Sequence, residues 1–336
     1  MHIDAGSIIV ATGFDAYAPA EDEFCYGTPG VITLPDFKKL VDAAPPGQLM
    51  VGGRPVRSIA YIYCVGSRQP GGNEYCSKYC CTAAIHTSTL VGRFDGGVRQ
   101  YHLYRDIRAY GTNELTYSAS REGGSTYMKF ADDAPPVVAP LDDGRLGVTL
   151  TDLLTQSREV TIPADLVVLV TGMVPRENRS LVDVLKLPLG SDGFFNEIHP
   201  KLRPVETVVD GVMIAGCCQS PRTVGESVAA GLAAVAQSAA LLKKGFTELE
   251  PLVARVDADK CIGSGACLPA CPYDSITMIE WEGRQVASVD PSSCKGCGGC
   301  VPVCGQGAID LLGYTDAQMT AAIEELIAQS VKELVS

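Results

Sequence analysis

The sequence has no uninterrupted apolar run of the roughly 18 residues that a membrane-crossing helix needs, so no membrane span is expected. It is short of positive charge. Against 39 Asp and Glu stand 27 Lys and Arg, a formal net charge of −12. Proteins that bind phosphate backbones present basic patches, so nucleic acid is not an expected partner. The opening MHIDAGSIIVATG has neither the basic n-region nor the apolar h-region of a secretory signal, which points to a cytoplasmic location. No G-x-G-x-x-G turn occurs in the 336 residues. A conventional pyrophosphate cradle therefore cannot be built from this sequence by itself.

Cysteine is abundant. Of fourteen, eleven fall into three groups: Cys64-x11-Cys76-x3-Cys80-Cys81, Cys261-x5-Cys267-x3-Cys271-Pro272 and Cys294-x2-Cys297-x2-Cys300-x3-Cys304. The last is the iron–sulfur run of two-cluster ferredoxins. Disulfides are not expected, because the chain is long, lacks an export signal and spaces its cysteines as metal ligands. At Cys64–Cys81 the spacing also suits zinc.

In a two-cluster ferredoxin each run gives its first three cysteines to one cluster and its fourth to the other. Cys294, Cys297, Cys300 and Cys271 are thus expected to hold one [4Fe–4S] cluster. Cys261, Cys267 and Cys304 belong to the second, whose remaining ligand position is Ser264. Serine there is compatible with an alkoxide ligand, with a three-iron cluster, with a four-iron cluster bearing one open iron, or with a degenerate site.

Apolar runs ending in glycine turns recur along the chain: Ser7–Ala11, Ser58–Tyr63, Leu166–Val170 and Gly211–Ala215. Each reads as a buried strand. Helices are expected near Leu34–Asp42, Cys80–Val91 and Thr223–Lys243, with further strands at Val98–Tyr104 and Ser125–Phe130 and a β-pair from Gly147–Leu150 and Val160–Ile162. Alternating strands and helices give an α/β fold with parallel strands. Tyr314–Val335 reads as a closing amphipathic helix. Cys64 ends a strand where a nucleotide-binding domain carries its first phosphate-cradling glycine. A thiolate then points where a phosphate would sit, and Cys76, Cys80 and Cys81 can close over the same spot.

Six segments carry a family resemblance: IIVATGF at Ile8–Phe14, CVGSR at Cys64–Arg68, YCSKYCC at Tyr75–Cys81, YRDIRAYG at Tyr104–Gly111, HPKLRPVET at His199–Thr207 and AGCCQSPRTVGESVAAG at Ala215–Gly231. The chain resembles the HdrA family of heterodisulfide reductases, the flavin-containing core of HdrABC-type complexes. The resemblance implies a thioredoxin-reductase-like fold: a partial FAD domain, an NAD-like domain carrying a cluster, and a C-terminal α+β two-cluster ferredoxin domain. The expected boundaries are 1–50 for partial FAD domain and linker and 51–173 for the dinucleotide-type domain with its [4Fe–4S] site. Residues 174–250 return to the FAD domain, 251–313 form the ferredoxin domain and 314–336 the final helix.

By the same resemblance Cys64, Cys76, Cys80 and Cys81 would hold a flavin-proximal cluster, making three in all. Thr12 and Gly13 would line the adenosine or phosphate side of FAD. Gly216 and Cys217 would form the turn at the ribityl chain. Pro221, Thr223 and Val224 would begin a helix whose N-terminus faces the pyrimidine edge and favours reduced, anionic flavin. The missing glycine turn implies that FAD is shared with an N-terminal half-subunit. The family's inserted ferredoxin domain, expected after Arg105–Gly111, is absent. Electrons would come from a hydrogenase or formate dehydrogenase module through a small iron–sulfur adaptor of the MvhD type. They would leave toward ferredoxin and a disulfide-reducing HdrB/HdrC unit, in a dimer of hetero-oligomers. A plain iron–sulfur relay without flavin, or the equivalent component of an aromatic-acid or sulfur-metabolism reductase, are the alternative readings. Cys217 and Cys218 are adjacent and poorly disposed for a disulfide, and read as packing or flavin-contact residues. His86 and His102 lie on elements near the upstream cysteines, where a histidine can tune a cluster.

Overall fold

The computed structural model describes residues 3–45, 47, 49–94, 97–248 and 251–335. The expected boundary at residue 250 and the last residue, 336, lie outside that set. The strands that organise the fold are β1 (Ile8–Val10), β2 (Val31–Thr33), β3 (Ser58–Val65), β4 (Arg99–Tyr104), β5 (Thr126–Lys129), β6 (Leu166–Thr171) and β7 (Val212–Ile214). The helices are α1 (Leu34–Ala43), α2 (Cys80–Phe94), α3 (Val224–Lys244) and α4 (Asp316–Val335).

β2, β6, β3, β4 and β5 lie side by side, in that order, in one parallel sheet. β3 is buried at every position, because both sheet faces are covered. Ile59, Tyr61 and Tyr63 point with Leu166, Val168 and Val170 toward Phe37 of α1 and Ala84 and Val91 of α2. Their alternates Ala60, Ile62, Val167 and Leu169 pack with Val148, Leu150 and Ile162 of a three-stranded antiparallel sheet. Its strands are Val137–Pro140, Leu146–Asp152 and Arg158–Ala164. Period-two alternation on a sheet covered twice makes its central strands β3 and β6 buried at every position. The α/β class expected from the sequence is the one observed.

The crossing to the smaller part is made by Phe14–Ala16 and Met173–Pro175, paired antiparallel. Beyond them β1 pairs with β7 in parallel, Ile8 opposite Val212. Val10 is buried but Ile8 and Ile9 are 42% and 40% exposed. This corrects the expectation of a fully buried first strand. Among the described residues β1 has β7 as its one strand neighbour, so its remaining edge and part of its face are uncovered. α3 packs Ala230, Ala234 and Ser238 inward and turns Val224, Val228, Leu232 and Val235 to the surface. Length and composition would also let α3 cross a membrane. In the sequence its apolar run is interrupted by Glu226 and other polar residues.

From Ala254 onward a separate core forms. Ala254–Val256 pairs with Ile309–Leu311, and Ile276–Trp281 with Arg284–Val289. Cys261, Cys267 and Cys300 are buried in that core among Ile276, Val286 and Ile309. α4 forms as a helix, but Met319, Ile323 and Ile327 are exposed, so the apolar stripe read from its sequence is not packed. Two further helices, Asn113–Glu122 and Arg179–Leu185, are not foreshadowed by the sequence pattern. The first is mostly polar, and the one residue it buries is Ser120.

Candidate iron–sulfur and flavin site

In the C-terminal part, one cavity is lined by Cys271, Cys294, Cys297 and Cys300. A second, of about 190 Å³, is lined by Cys261, Ser264, Cys267 and Cys304. The two sets are those that ligand exchange between the cysteine runs requires. The backbone supports them locally. Gly263, Gly265, Gly296 and Gly298 take positive φ between the ligands, which lets the loops curl around a centre. A Cβ on Gly263 would stand 2.5 Å from the Gln285 carbonyl oxygen. Backbone N–H groups already aim at the sulfurs: Ala287 N lies 3.4 Å from Cys261 Sγ, Ser275 N 3.3 Å from Cys271 Sγ and Ala308 N 3.3 Å from Cys304 Sγ. The donor sets fit cubane-type clusters, one with four thiols and one with three thiols and a hydroxyl. Among the described residues no three His, Cys, Asp or Glu form the ligand shell of a single metal ion.

The upstream group is assembled at the end of β3. There β3 bulges against β6, since Leu169 pairs with Ile62 and Thr171 with Val65. Cys64 sits in the bulge at φ 62°, a left-handed conformation uncommon for any residue with a Cβ. Gly66 follows at φ 71°, and a Cβ there would meet the Tyr17 ring at 2.0 Å. The loop then folds back, with Arg68 N donating to Tyr75 O at 3.0 Å and Asn73 Nδ2 to Gly66 O at 3.1 Å. Ser77 Oγ accepts from Met173 N at 2.8 Å, pinning the segment between Cys76 and α2. Cys80 and Cys81 open α2 and are buried with Cys64.

The thiols feel one another. Burial first, then the charge of Cys81, pushes Cys64 up to about 11, while Arg68 and Arg105 pull the other way. The Cys80 and Cys81 thiols hydrogen-bond to each other, which raises Cys80 and lowers Cys81, the latter also drawn down by Arg108 and Arg68. All fourteen cysteines are free. Four thiols, three of them buried, gathered with cationic side chains at a strand end fit a cluster of net negative charge.

His86 is exposed on α2. His102 is buried, stacked between Tyr61 and Tyr127 at 4.6 and 4.4 Å, with Nδ1 2.8 Å from the Tyr63 hydroxyl. Burial holds its pKa down at about 3. It is a neutral core ring that reaches the cysteines through Tyr63.

The residues expected around a flavin are brought beside this group. Thr12 and Gly13 lie between β1 and Phe14, and the Thr12 hydroxyl is buried without a hydrogen-bond partner. Gly13 (φ 76°) has open space where a Cβ would stand. Gly216, at φ 74°, and Cys217 form a single 3₁₀ turn after β7. Cys218 is buried, its sulfur 3.3 Å from Val10 O. Pro221 precedes α3, whose N-terminus is closed by a reciprocal pair. Thr223 N donates to Glu226 Oε2 at 2.7 Å and Glu226 N to Thr223 Oγ1 at 3.3 Å. This capping box occupies part of the N-terminal turn that was expected to face a ligand. Val224 and Gly225 remain open: Val224 is 82% exposed and a Cβ on Gly225 would meet nothing within 4 Å. Lys78, between Cys76 and Cys80, forms an ion pair with Glu226 at 3.0 Å. The Tyr79 and Phe14 rings lie 5.7 Å apart. Lys78, Tyr79, Arg68 and Arg105 join the site although their residue types do not mark them as ligands. Their positions inside the resembling motifs, next to ligand cysteines, are the available signal.

The 4Fe-4S dicluster domain family matches residues 254–311. The chain is thus an iron–sulfur protein that joins a two-cluster ferredoxin unit to an α/β domain with a further cysteine group. The iron–sulfur A-subunit 1 of CoB–CoM heterodisulfide reductase from Methanopyrus kandleri is 38% identical, covering 99% of this chain and 51% of the relative. A heterodisulfide reductase A-subunit-like protein of Archaeoglobus profundus is 36% identical over 100% of this chain and 51% of the relative. The A-subunit of the H2:CoB–CoM heterodisulfide,ferredoxin reductase from Methanothermobacter thermautotrophicus is 37% identical over 83% of this chain and 43% of its own length. The chain is a homologue of these HdrA-type iron–sulfur proteins of heterodisulfide reductase, and it spans about half the length of the curated relatives it matches. Among solved structures, T. acidophilum thioredoxin reductase aligns over 71% of this chain and 66% of its own, with TM-score 0.44 and 15% identity. Lactococcus lactis thioredoxin reductase gives the same coverages and TM-score at 18% identity.

Proposed function

We propose that this chain is the electron-transferring part of an HdrA-like iron–sulfur flavoprotein, acting within a larger cytoplasmic oxidoreductase complex. Three [4Fe–4S]-type clusters and an FAD, when bound, supply one-electron transfer and the splitting of electron pairs. Cys64, Cys76, Cys80 and Cys81 would hold the cluster beside the flavin. The C-terminal cysteine sets would hold the two that lead outward, with Ser264 in place of one thiolate. Thr12, Gly13, Gly216, Cys217, Pro221, Thr223 and Val224 would contribute this chain's share of the flavin pocket.

One observation carries this reading. The Cys76–Cys80 loop is joined to the N-terminus of α3 by the Lys78–Glu226 ion pair and to the Thr12–Phe14 turn by Tyr79. A cluster at the cysteines and a flavin at the turns would therefore be neighbours. The buried Thr12 hydroxyl without a partner fits a polar ligand group, since buried hydroxyls are rarely left unpaired.

The exposed Ile8 and Ile9 and the Val224–Val235 stripe of α3 suit an N-terminal half-domain that brings the G-x-G-x-x-G turn and further strands. A large uncovered apolar face marks such a contact, and an open sheet edge invites another strand. In this reading FAD is shared between the two halves. The further partners are an HdrB/HdrC-type unit, ferredoxin, and a hydrogenase or formate dehydrogenase module with its adaptor.

The test is an anaerobic count of iron, acid-labile sulfide and flavin, on this chain and on the complex isolated with it. About 11–12 irons per chain are expected for three clusters, with FAD present once the glycine-rich half is present. Iron near eight with zinc would remove the upstream cluster. Iron near twelve without flavin in any complex would leave a plain electron relay.

A further inference from the structure

Two arginines face the upstream cysteines in an unusual state. Arg68 and Arg105 are 17% and 11% exposed at their side chains. Arg68 Nη1 and Arg105 Nε are buried and have no hydrogen-bond partner. Arg68 Nη2 pairs with Asp106 at 2.9 Å, and Arg105 Nη1 donates to Arg68 O at 2.7 Å. Asp132 stands 3.9 Å from each guanidinium, and Lys129 is 3.6 Å from Asp106. Both arginines act electrostatically on Cys64, and Arg68 also on Cys81. An unpaired guanidinium N–H in a protein interior is costly. Arg68 stands four residues after Cys64, and the Asp106 carbonyl next to Arg105 lies 3.9 Å from Cys81 Sγ.

We propose that Arg68 and Arg105 are potential-setting residues that direct positive charge at the sulfurs of the Cys64–Cys81 cluster and raise its reduction potential. Reduction adds one negative charge, and a nearby fixed cation stabilises the reduced state more than the oxidised one. Asp106 and Asp132 moderate the effect by drawing part of each guanidinium away. The proposal rests on the cluster assigned to these cysteines above.

The experiment is a redox titration of the full chain, anaerobic and loaded, with the midpoint of each cluster read by EPR. Arg68→Met keeps the bulk and removes the charge. Its upstream midpoint should fall by at least a tenfold change in the reduction equilibrium, about 59 mV for one electron. Arg68→Lys should recover most of the shift, Arg105→Gln should shift the same way, and Asp106→Asn should shift the midpoint upward. The C-terminal midpoints should stay in place. A merely structural role would not produce shifts of opposite sign from Arg68→Met and Asp106→Asn. An unchanged upstream midpoint in loaded Arg68→Met and Arg105→Gln overturns the proposal. So does loss of that cluster in both variants while the other two remain, because the arginines would then be structural. A wild-type chain with only two clusters would instead overturn the assignment on which the proposal rests.

Discussion

Replacing Gly66 by alanine tests the geometry that puts Cys64 in place. Gly66 has φ 71°, and the added Cβ would lie 2.0–2.5 Å from Cγ, Cδ1 and Cδ2 of Tyr17. Those atoms are the base of the ring and cannot swing aside as a flexible tip would. Tyr17 is further held by its N–H to Gly172 O and its hydroxyl to Glu23, both at 2.9 Å. The left-handed conformation costs an alanine about 1–2 kcal/mol, and forced overpacking adds about 1–3 kcal/mol, so the total is about 2–5 kcal/mol. Gly71, in the same loop at φ 72°, has nothing within 4 Å of its Cβ position. Gly71→Ala should therefore show the conformational cost alone. Gly172→Ala carries the opposite combination, with no positive φ but a Cβ 2.6 Å from Ser77 Oγ and 3.0 Å from Ser67 Cβ. Urea midpoints for the three variants, followed by circular dichroism without oxygen, should fall furthest for Gly66→Ala. Its iron content should also drop by the upstream cluster's share. If Gly66→Ala proves no more disruptive than Gly71→Ala, the Tyr17 contact does not constrain the Cys64 turn and the steric argument is wrong.

Ser264→Cys should complete a four-thiolate set. If the serine site holds three irons, the count rises from about 11 to about 12 per chain and the EPR signal of an oxidised three-iron cluster disappears; an unchanged count and spectrum mean that four irons are already held. Cys80→Ala should lower iron by about four atoms while leaving the C-terminal clusters' spectra intact, and loss of all iron would contradict independent assembly of the two regions. His102 is held near 3 against an ordinary 6.5, so below pH 6.5 the unfolded chain takes up a proton that the fold refuses. Its contribution to stability is then lost as pH falls from 6.5 toward 3, at about 1.4 kcal/mol per pH unit. His102→Gln should flatten this slope in unfolding measured from pH 7.5 to 5.5, and an equal slope would show that the ring is hydrated in the fold.

Much of the architecture is legible in the sequence because it rests on local pattern. Ser58–Val65 is apolar at nearly every position because both faces of its strand are covered, and the cysteine spacings reflect donor sets that line separate cavities. What is not legible depends on contacts distant in sequence. The pairing of Phe14–Ala16 with Met173–Pro175 joins segments more than 150 residues apart, and neither strand is long enough to show a period. The exposure of Ile8 and Ile9 arises from the lack of a covering neighbour, which composition does not record. Arg68 and Arg105 are only letters of longer motifs in the sequence, because their partners come from the loops after β3 and β4 and the segment around Asp132. The helix cap at Thr223 is recognisable as a start signal, yet its reciprocal Glu226 bond takes up donors that the family resemblance assigns to a ligand.

The C-terminal core has a consequence for the life of the protein in the cell. Three of its nine buried residues are cysteines, and the others include several alanines on its short edge strands and turns. Aliphatic burial on that scale is too small to hold a domain of this size together, so the metal-ligand bonds take over the task and cofactor insertion becomes a step of folding. Oxygen damage then means more than a broken circuit. A chain stripped of its iron would lose the scaffold of its C-terminal part and present exposed loops to proteases, so clearance of inactive copies would follow directly from the chemistry that inactivated them.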